Sequence, residues 1–173
     1  MRTSTLLATG MLAALLLASP AHAGAAGATM WRSWDAGLRE AGATGRPVLV
    51  DVYTDWCGWC KRMDRDVYAR RDVQDYLSRK FVTVKLNAES NEVARYQGRS
   101  LSSRALAARF GVNGYPTTIF LNSAGAYLGN VPGYTPPEQF LQLLRYIGDG
   151  HMDRGVRFED FARGSEGDAS GRR

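Results

Sequence analysis

The sequence predicts one α/β domain built on a mixed central sheet of about four strands, flanked by helices on both faces. Three observations carry that expectation. The run Val48 to Tyr53 is apolar apart from Asp51, as a central strand covered on both sides requires. Helical periodicity follows it, and then a second apolar run, Phe81 to Leu86, the order of a parallel strand-helix-strand crossover. Two later strand patterns, Pro116 to Leu121 and Ala126 to Val131, flank Asn122-Ser123-Ala124-Gly125, a hairpin turn that makes the last two strands antiparallel. At 173 residues, 45% of them hydrophobic, the chain is long enough for one such domain plus extensions.

Taken in order, residues 1–23 read as a cleaved secretory leader. Arg2 supplies the positive charge, Leu6 to Ala18 is apolar, and Ala21-His22-Ala23 is a small-x-small cleavage site. The apolar run is shorter than the ~20 residues a spanning helix needs, so no membrane span is expected in a mature chain beginning at Gly24. Between Met30 and Ala41 the residues Trp31, Trp34, Leu38 and Ala41 recur at helical spacing, and the Thr44-Gly45-Arg46-Pro47 stretch stops the helix. After the first strand, Met63 and Val67 share a helical face, and Asp72 is placed to cap a second short helix bearing Val73, Tyr76 and Leu77. Asn87 to Ser100 is polar and reads as a loop or weak helix, inserted between elements. Leu101 to Phe110 returns to a helix with Leu101, Ala105, Ala108 and Leu106 as its inward candidates, closed by Gly111. Pro116 starts a strand, a permitted place for a residue without an N–H. Thr135-Pro136-Pro137-Glu138 reads as a capping box for a final helix buried through Phe140, Leu143, Leu144 and Ile147. The domain is therefore expected over residues 24–147. Residues 148–173 form a C-terminal extension in which Val156, Phe158 and Phe161 can pack back and the distal, Gly- and charge-rich part is disordered.

The chain holds two cysteines, Cys57 and Cys60, at the junction of the first strand and the helix after it. A cysteine at a helix start meets unpaired backbone N–H groups and the positive end of the helix dipole, both of which favour the thiolate that attacks disulfides. Cys60, one turn further in, is placed to resolve a mixed disulfide. A purely structural bridge is the competing reading in an oxidising compartment, but it would close a loop too short to constrain the unfolded chain much. Zinc is disfavoured, because a tetrahedral site needs four ligands and the mature chain adds only the distant His151. The net charge of +5 is interspersed, with no basic block beyond Lys61-Arg62 and Arg70-Arg71, so a nucleic-acid site is not expected.

Four separated features together resemble the thioredoxin family over roughly residues 46 to 147. Trp56-Cys57-Gly58-Trp59-Cys60-Lys61 is similar to the family's Trp-Cys-x-x-Cys-Lys, and Asp51 falls on its buried carboxylate. Lys85-Leu86-Asn87 resembles the strand whose lysine approaches that carboxylate, and Phe110 to Thr117 resembles the segment holding a cis-proline opposite the cysteines. Within the family, the stretch after Cys60 looks more like exported thioredoxin-like proteins and the C-terminal domain of the DsbD reductase. Gly58-Trp59 departs from the usual Gly-Pro between the cysteines, so no redox potential carries over.

The resemblance implies a thioredoxin fold and a thiol-disulfide oxidoreductase with a Cys57-Cys60 redox disulfide and no cofactor or metal. It implies Cys57 as nucleophile, Cys60 as resolving thiol, Asp51 as a proton relay of raised pKa, Lys85 as its charge partner and Pro116 as the cis-proline. Asp51 at a strand end in water and Lys85 as an exposed strand lysine are the competing readings. Trp56, Gly58, Trp59 and Tyr115 are implied as the substrate-binding rim, although Trp59 could equally pack on its own domain. Expected partners are protein thiols and disulfides, with a membrane electron carrier that resets the pair. The expected place is the periplasm and the expected direction reduction, with a thiol oxidase or isomerase, or a thioredoxin-fold binding factor, as alternatives.

Overall fold

The computed structural model describes residues 31–170. The expected leader lies outside them. Four strands make the central sheet: β1 (Val48–Tyr53), β2 (Val82–Asn87), β5 (Thr117–Leu121) and β6 (Tyr127–Pro132), in the order β2-β1-β5-β6. β1 is parallel to β2 and antiparallel to β5, and β5 is antiparallel to β6. The continuous apolar run of β1 thus occupies an interior position, as its composition required.

Alternation along β1 divides the core into two layers. Val48, Val50 and Val52 face a cluster with Trp34, Val84, Leu106, Phe110 and Ile119. Here α1 (Trp34–Thr44) and α4 (Ser103–Arg109) cover the sheet. Leu49 faces the opposite cluster of Met63, Val67, Tyr68, Leu77, Phe81, Phe120, Phe140 and Leu144. That layer is built by α2 (Gly58–Met63), a π-helical turn (Asp64–Tyr68), α3 (Arg71–Lys80) and α5 (Pro137–Gly148). Asp51, two residues from Leu49, shares this second face.

Several local expectations are corrected. The first helix begins at Trp34 rather than Met30, and residue 32 is extended, bridging Val84 at the edge of β2. Trp31 consequently packs in the second layer, away from Trp34. The segment 87–100 contains strands β3 (Val93–Tyr96) and β4 (Arg99–Ser102), paired antiparallel. Gln97 and Gly98 make its two-residue turn at φ 49° and 75°, the backbone that a tight hairpin demands. Four-residue strands with only Ala94 and Tyr96 buried leave too little alternation to see in a polar stretch. Because β4 consumes Leu101, α4 starts at Ser103; Leu106 faces inward as expected, but Ala107 joins it while Ala105 and Ala108 are exposed. Thr135 caps nothing: Pro136 is the N-cap residue of α5, and Glu138 pairs instead with Arg70 at 2.5 Å. Asp72 lies inside the first turn of α3.

In the C-terminal extension α6 (Phe158–Ser170) forms. Phe158 and Phe161 pack on Tyr146, whose hydroxyl donates to the Val156 carbonyl at 2.6 Å. Among the described residues no helix is long and apolar enough to cross a membrane.

Candidate active site

β1 ends at Tyr53 and the chain turns through Thr54 to Trp56 into α2. Cys57 is the N-cap residue of that helix, and its Sγ accepts the Cys60 N–H at 3.1 Å. The donor is one of the N–H groups a helix start leaves without a backbone partner. The Cys57 N–H is itself fixed on the Thr54 carbonyl at 3.2 Å. Cys57 and Cys60 are joined in a disulfide with Cα atoms 5.3 Å apart. The two residues are almost equally covered in this oxidised form, 4% and 3% exposed.

The rim is aromatic. Trp56 is 66% exposed, stands edge-on to Tyr115 at 6.1 Å, and donates its indole N–H to Glu89 at 3.0 Å. Trp59 is 54% exposed and lies 5.7 Å from Tyr134, with the Arg62 guanidinium about equally close to both rings at 5.2 and 5.3 Å. Trp59 therefore packs on its own domain while leaving a face exposed. A Cβ on Gly58 would meet nothing within 4 Å, so packing does not demand glycine there. The Tyr115–Pro116 peptide is cis, and the Pro116 carbonyl accepts from Gly133 at 2.7 Å. The Trp56–Tyr115 contact brings this loop beside the cysteines.

Beneath the helix lies a charged cluster. Sheet register sets Asp51 directly opposite Lys85 on β2 and Thr118 on β5. Lys85 Nζ is 2.7 Å from Asp51 Oδ2 and 2.6 Å from Asp64 Oδ1 in the π turn. The Asp51 side chain is 2% exposed, that of Lys85 20% and that of Asp64 47%, so the cluster runs from the core to the surface. Asp51 and Lys85 are thus neither the solvent-facing carboxylate nor the free strand lysine that the sequence left open. Burial pushes the Asp51 carboxyl above its ordinary pKa, with the Lys85 charge opposing. Burial would lower the Lys85 ammonium, but the Asp51 carboxylate, with Asp64, outweighs it and raises it. Burial, with the nearby Asp51 charge, drives the Tyr68 hydroxyl well up. Asp51 Oδ1 and Thr54 Oγ1 are buried with no hydrogen-bond partner among the described residues.

The structure brings Cys57, Cys60, Trp56, Trp59, Tyr115 and Pro116 to one end of the sheet and places Asp51 and Lys85 under the adjoining helix. It adds Asp64, Tyr68, Arg62, Tyr134 and Glu89, which the sequence reading missed. Asp64 lies four residues after Cys60, on the same helical face, and that spacing was a usable signal. Tyr134 and Glu89 have no comparable local signal. Among the described residues no group of three or more His, Cys, Asp or Glu side chains is arranged to hold a metal ion.

A four-stranded mixed sheet layered between helices, with a Cys-x-x-Cys disulfide at the helix start and a cis-proline loop facing it, defines the thioredoxin class of proteins. The model of the thioredoxin-like domain matches residues 34–148, and the chain belongs to that family. It is 37% identical over 112 residues to the thiol:disulfide interchange protein DsbD of Ralstonia nicotianae, covering 64% of this chain and 17% of that protein. It is 30% identical over 111 residues to the thioredoxin-like protein HCF164, chloroplastic, of Oryza sativa subsp. japonica, covering 64% of this chain and 37% of that one. The chain thus spans about a sixth of the DsbD length. Among solved structures, a thioredoxin from Thermus thermophilus superposes with a TM-score of 0.56 at 28% identity, over 72% of this chain and 95% of its own. A thioredoxin-fold protein from Helicobacter pylori gives 0.63 at 23% identity, over 71% and 81%.

Proposed function

We propose that this chain is an exported thiol-disulfide oxidoreductase of residues 24–147, with a leader at 1–23 and an extension at 148–173, that reduces protein disulfides. The observation that carries the reading is the Cys57–Cys60 disulfide at the helix start, its Cys57 Sγ already accepting a backbone N–H. In the reduced protein the same N–H would stabilise a Cys57 thiolate. That thiolate attacks one sulfur of a substrate disulfide, forming a mixed disulfide and releasing the other sulfur as a thiol. Cys60, once deprotonated, attacks Cys57 Sγ, releasing the second substrate thiol and closing Cys57–Cys60. Two electrons pass to the substrate in each cycle, and an outside dithiol must return them.

Asp51 supports the second attack. A buried carboxyl with raised pKa and one oxygen without a hydrogen-bond partner among the described residues is suited to take the Cys60 proton through water, with Lys85 stabilising the carboxylate that the relay starts from. Pro116 keeps the Tyr115 backbone available for pairing with an extended substrate segment, and Trp56, Gly58 and Trp59 complete the groove. The likeness to the DsbD thiol:disulfide interchange proteins supports disulfide exchange; reduction as its direction, periplasmic export and resupply by a membrane electron carrier belong to the proposal.

The test is the pH dependence of alkylation of the reduced mature protein, compared between wild type and Cys60→Ser. Cys57 should react with an apparent pKa below the ~8.5 of a free thiol. If both cysteines react only near that value, the pair is not activated and a binding role takes precedence. The equilibrium potential against glutathione then sets direction: about −270 mV fits a reductant and about −120 mV an oxidant.

A further inference from the structure

Lys85 is enclosed on several sides. Asp51 and Tyr53 face it from β1, Asp64 and Tyr68 from the π turn, and Trp31 from the strip ahead of α1. Its Nζ lies 4.9 Å from the Trp31 ring centre, 4.9 Å from that of Tyr53 and 5.8 Å from that of Tyr68, all within cation–π range. Trp31 has no part in the chemistry above, and it precedes the stretch the family model matches.

Its position is set by backbone. The Arg32 N–H donates to the Thr83 carbonyl at 2.9 Å and the Lys85 N–H to the Arg32 carbonyl at 3.1 Å, so Trp31 is held alongside Lys85. The Arg32 guanidinium is turned aside onto Glu40 at 2.7 Å. α1 packs tightly on β2 beside the strip: a Cβ on Gly37 would lie 2.2 Å from Val84 Cγ2 and 3.7 Å from Arg32 Cβ. The Trp31 ring stands edge-on to Tyr68, at 4.9 Å and 87°, which fixes its orientation.

We propose that Trp31 is a positioning residue for disulfide exchange: its ring walls the Lys85 pocket and keeps the ammonium on Asp51. The proposal rests on the reading of Asp51 as the proton acceptor for Cys60. The physical reason is dielectric. An ammonium on a flexible stem gains by swinging into water, where its charge is screened from Asp51. Aromatic faces exclude that water and attract the cation, so Asp51 sees Lys85 at close to full strength. Asp51 is itself sealed by the sheet and the second core layer. Loss of the Trp31 ring therefore hydrates Lys85 rather than Asp51, and the Asp51 carboxyl holds its proton more tightly.

The test is direct titration of the Asp51 side-chain carboxyl by carbon NMR in the oxidised, full-length mature protein, beside the pH profile of disulfide turnover. Trp31→Ala should raise the proton affinity of Asp51 about threefold or more, a shift near half a pH unit. Trp31→Phe should restore most of it. In a Lys85→Met background Trp31→Ala should produce no further shift, because Trp31 acts through Lys85. No shift, a downward shift, or an equal shift in both backgrounds overturns the proposal. If the NMR shift appears but the turnover profile does not follow it, the wall stands as a structural fact. The role of Asp51 in exchange, and with it that of Trp31 as a positioning residue, then falls.

Discussion

Replacing Lys85 by methionine keeps the apolar stem and removes the charge. The contact with Asp64 is half exposed and is worth ~0.5 kcal/mol. The ring contacts add about 0.5–1 kcal/mol. The Asp51 contact is of another kind, because the carboxylate is 2% exposed and cannot be rehydrated in place. Breaking a buried pair costs about 3–5 kcal/mol, and the lower end applies here, because Lys85 is partly open and Asp51 can take up a proton. The expected loss is thus about 4 kcal/mol at pH 8, of which ~1 does not depend on Asp51. The sign of the pH dependence follows from the raised Asp51 pKa. A group that binds its proton more tightly when folded stabilises the fold fully below the unfolded carboxyl value, ~3.9. That contribution is lost as pH rises through the folded value. Lys85→Met widens this window, so its deficit grows with pH. Urea unfolding of the oxidised protein at pH 5 and pH 8 reads both numbers from the midpoint at constant slope. A deficit equal at the two pH values, or below ~1 kcal/mol at pH 8, would refute the buried-pair account.

Three further substitutions test the frame around the site. Gly37→Ala should gain up to ~1 kcal/mol of helix propensity but drive a methyl into Val84, for a net loss of about 1–3 kcal/mol in thermal or urea unfolding. An unchanged or raised midpoint would mean that α1 does not press on β2. Ser102→Ala removes the side-chain oxygen that accepts the Ala105 N–H at 3.2 Å and should cost ~1 kcal/mol, read by urea titration. Phe140→Ala empties a fully buried position edge-on to Tyr68 and should cost about 3–5 kcal/mol, with slower disulfide turnover if the π turn loosens.

The sequence by itself determined what depends on neighbours along the chain. Apolar continuity marked β1 and β2, the turn residues 122–125 joined β5 to β6, and cysteines at i and i+3 marked a helix start with chemistry. The resemblance then attached roles to Asp51 and Pro116, each lying within a short recognisable stretch. What only the tertiary structure decided depends on residues far apart in sequence. Asp51 faces Lys85 because parallel register sets them opposite one another, and Asp64 joins them because α2 continues through a π turn over β1. Trp31 shows why local pattern misled: its spacing to Trp34 and Leu38 is helical, yet backbone bonds to Thr83 and Lys85 hold the strip extended. The 93–102 hairpin was equally hidden, since its pairing is local but its burial comes from Trp34 and Phe110 across the domain. Periodicity reports which face of an element is apolar, whereas the identity of what covers that face is a property of the folded chain.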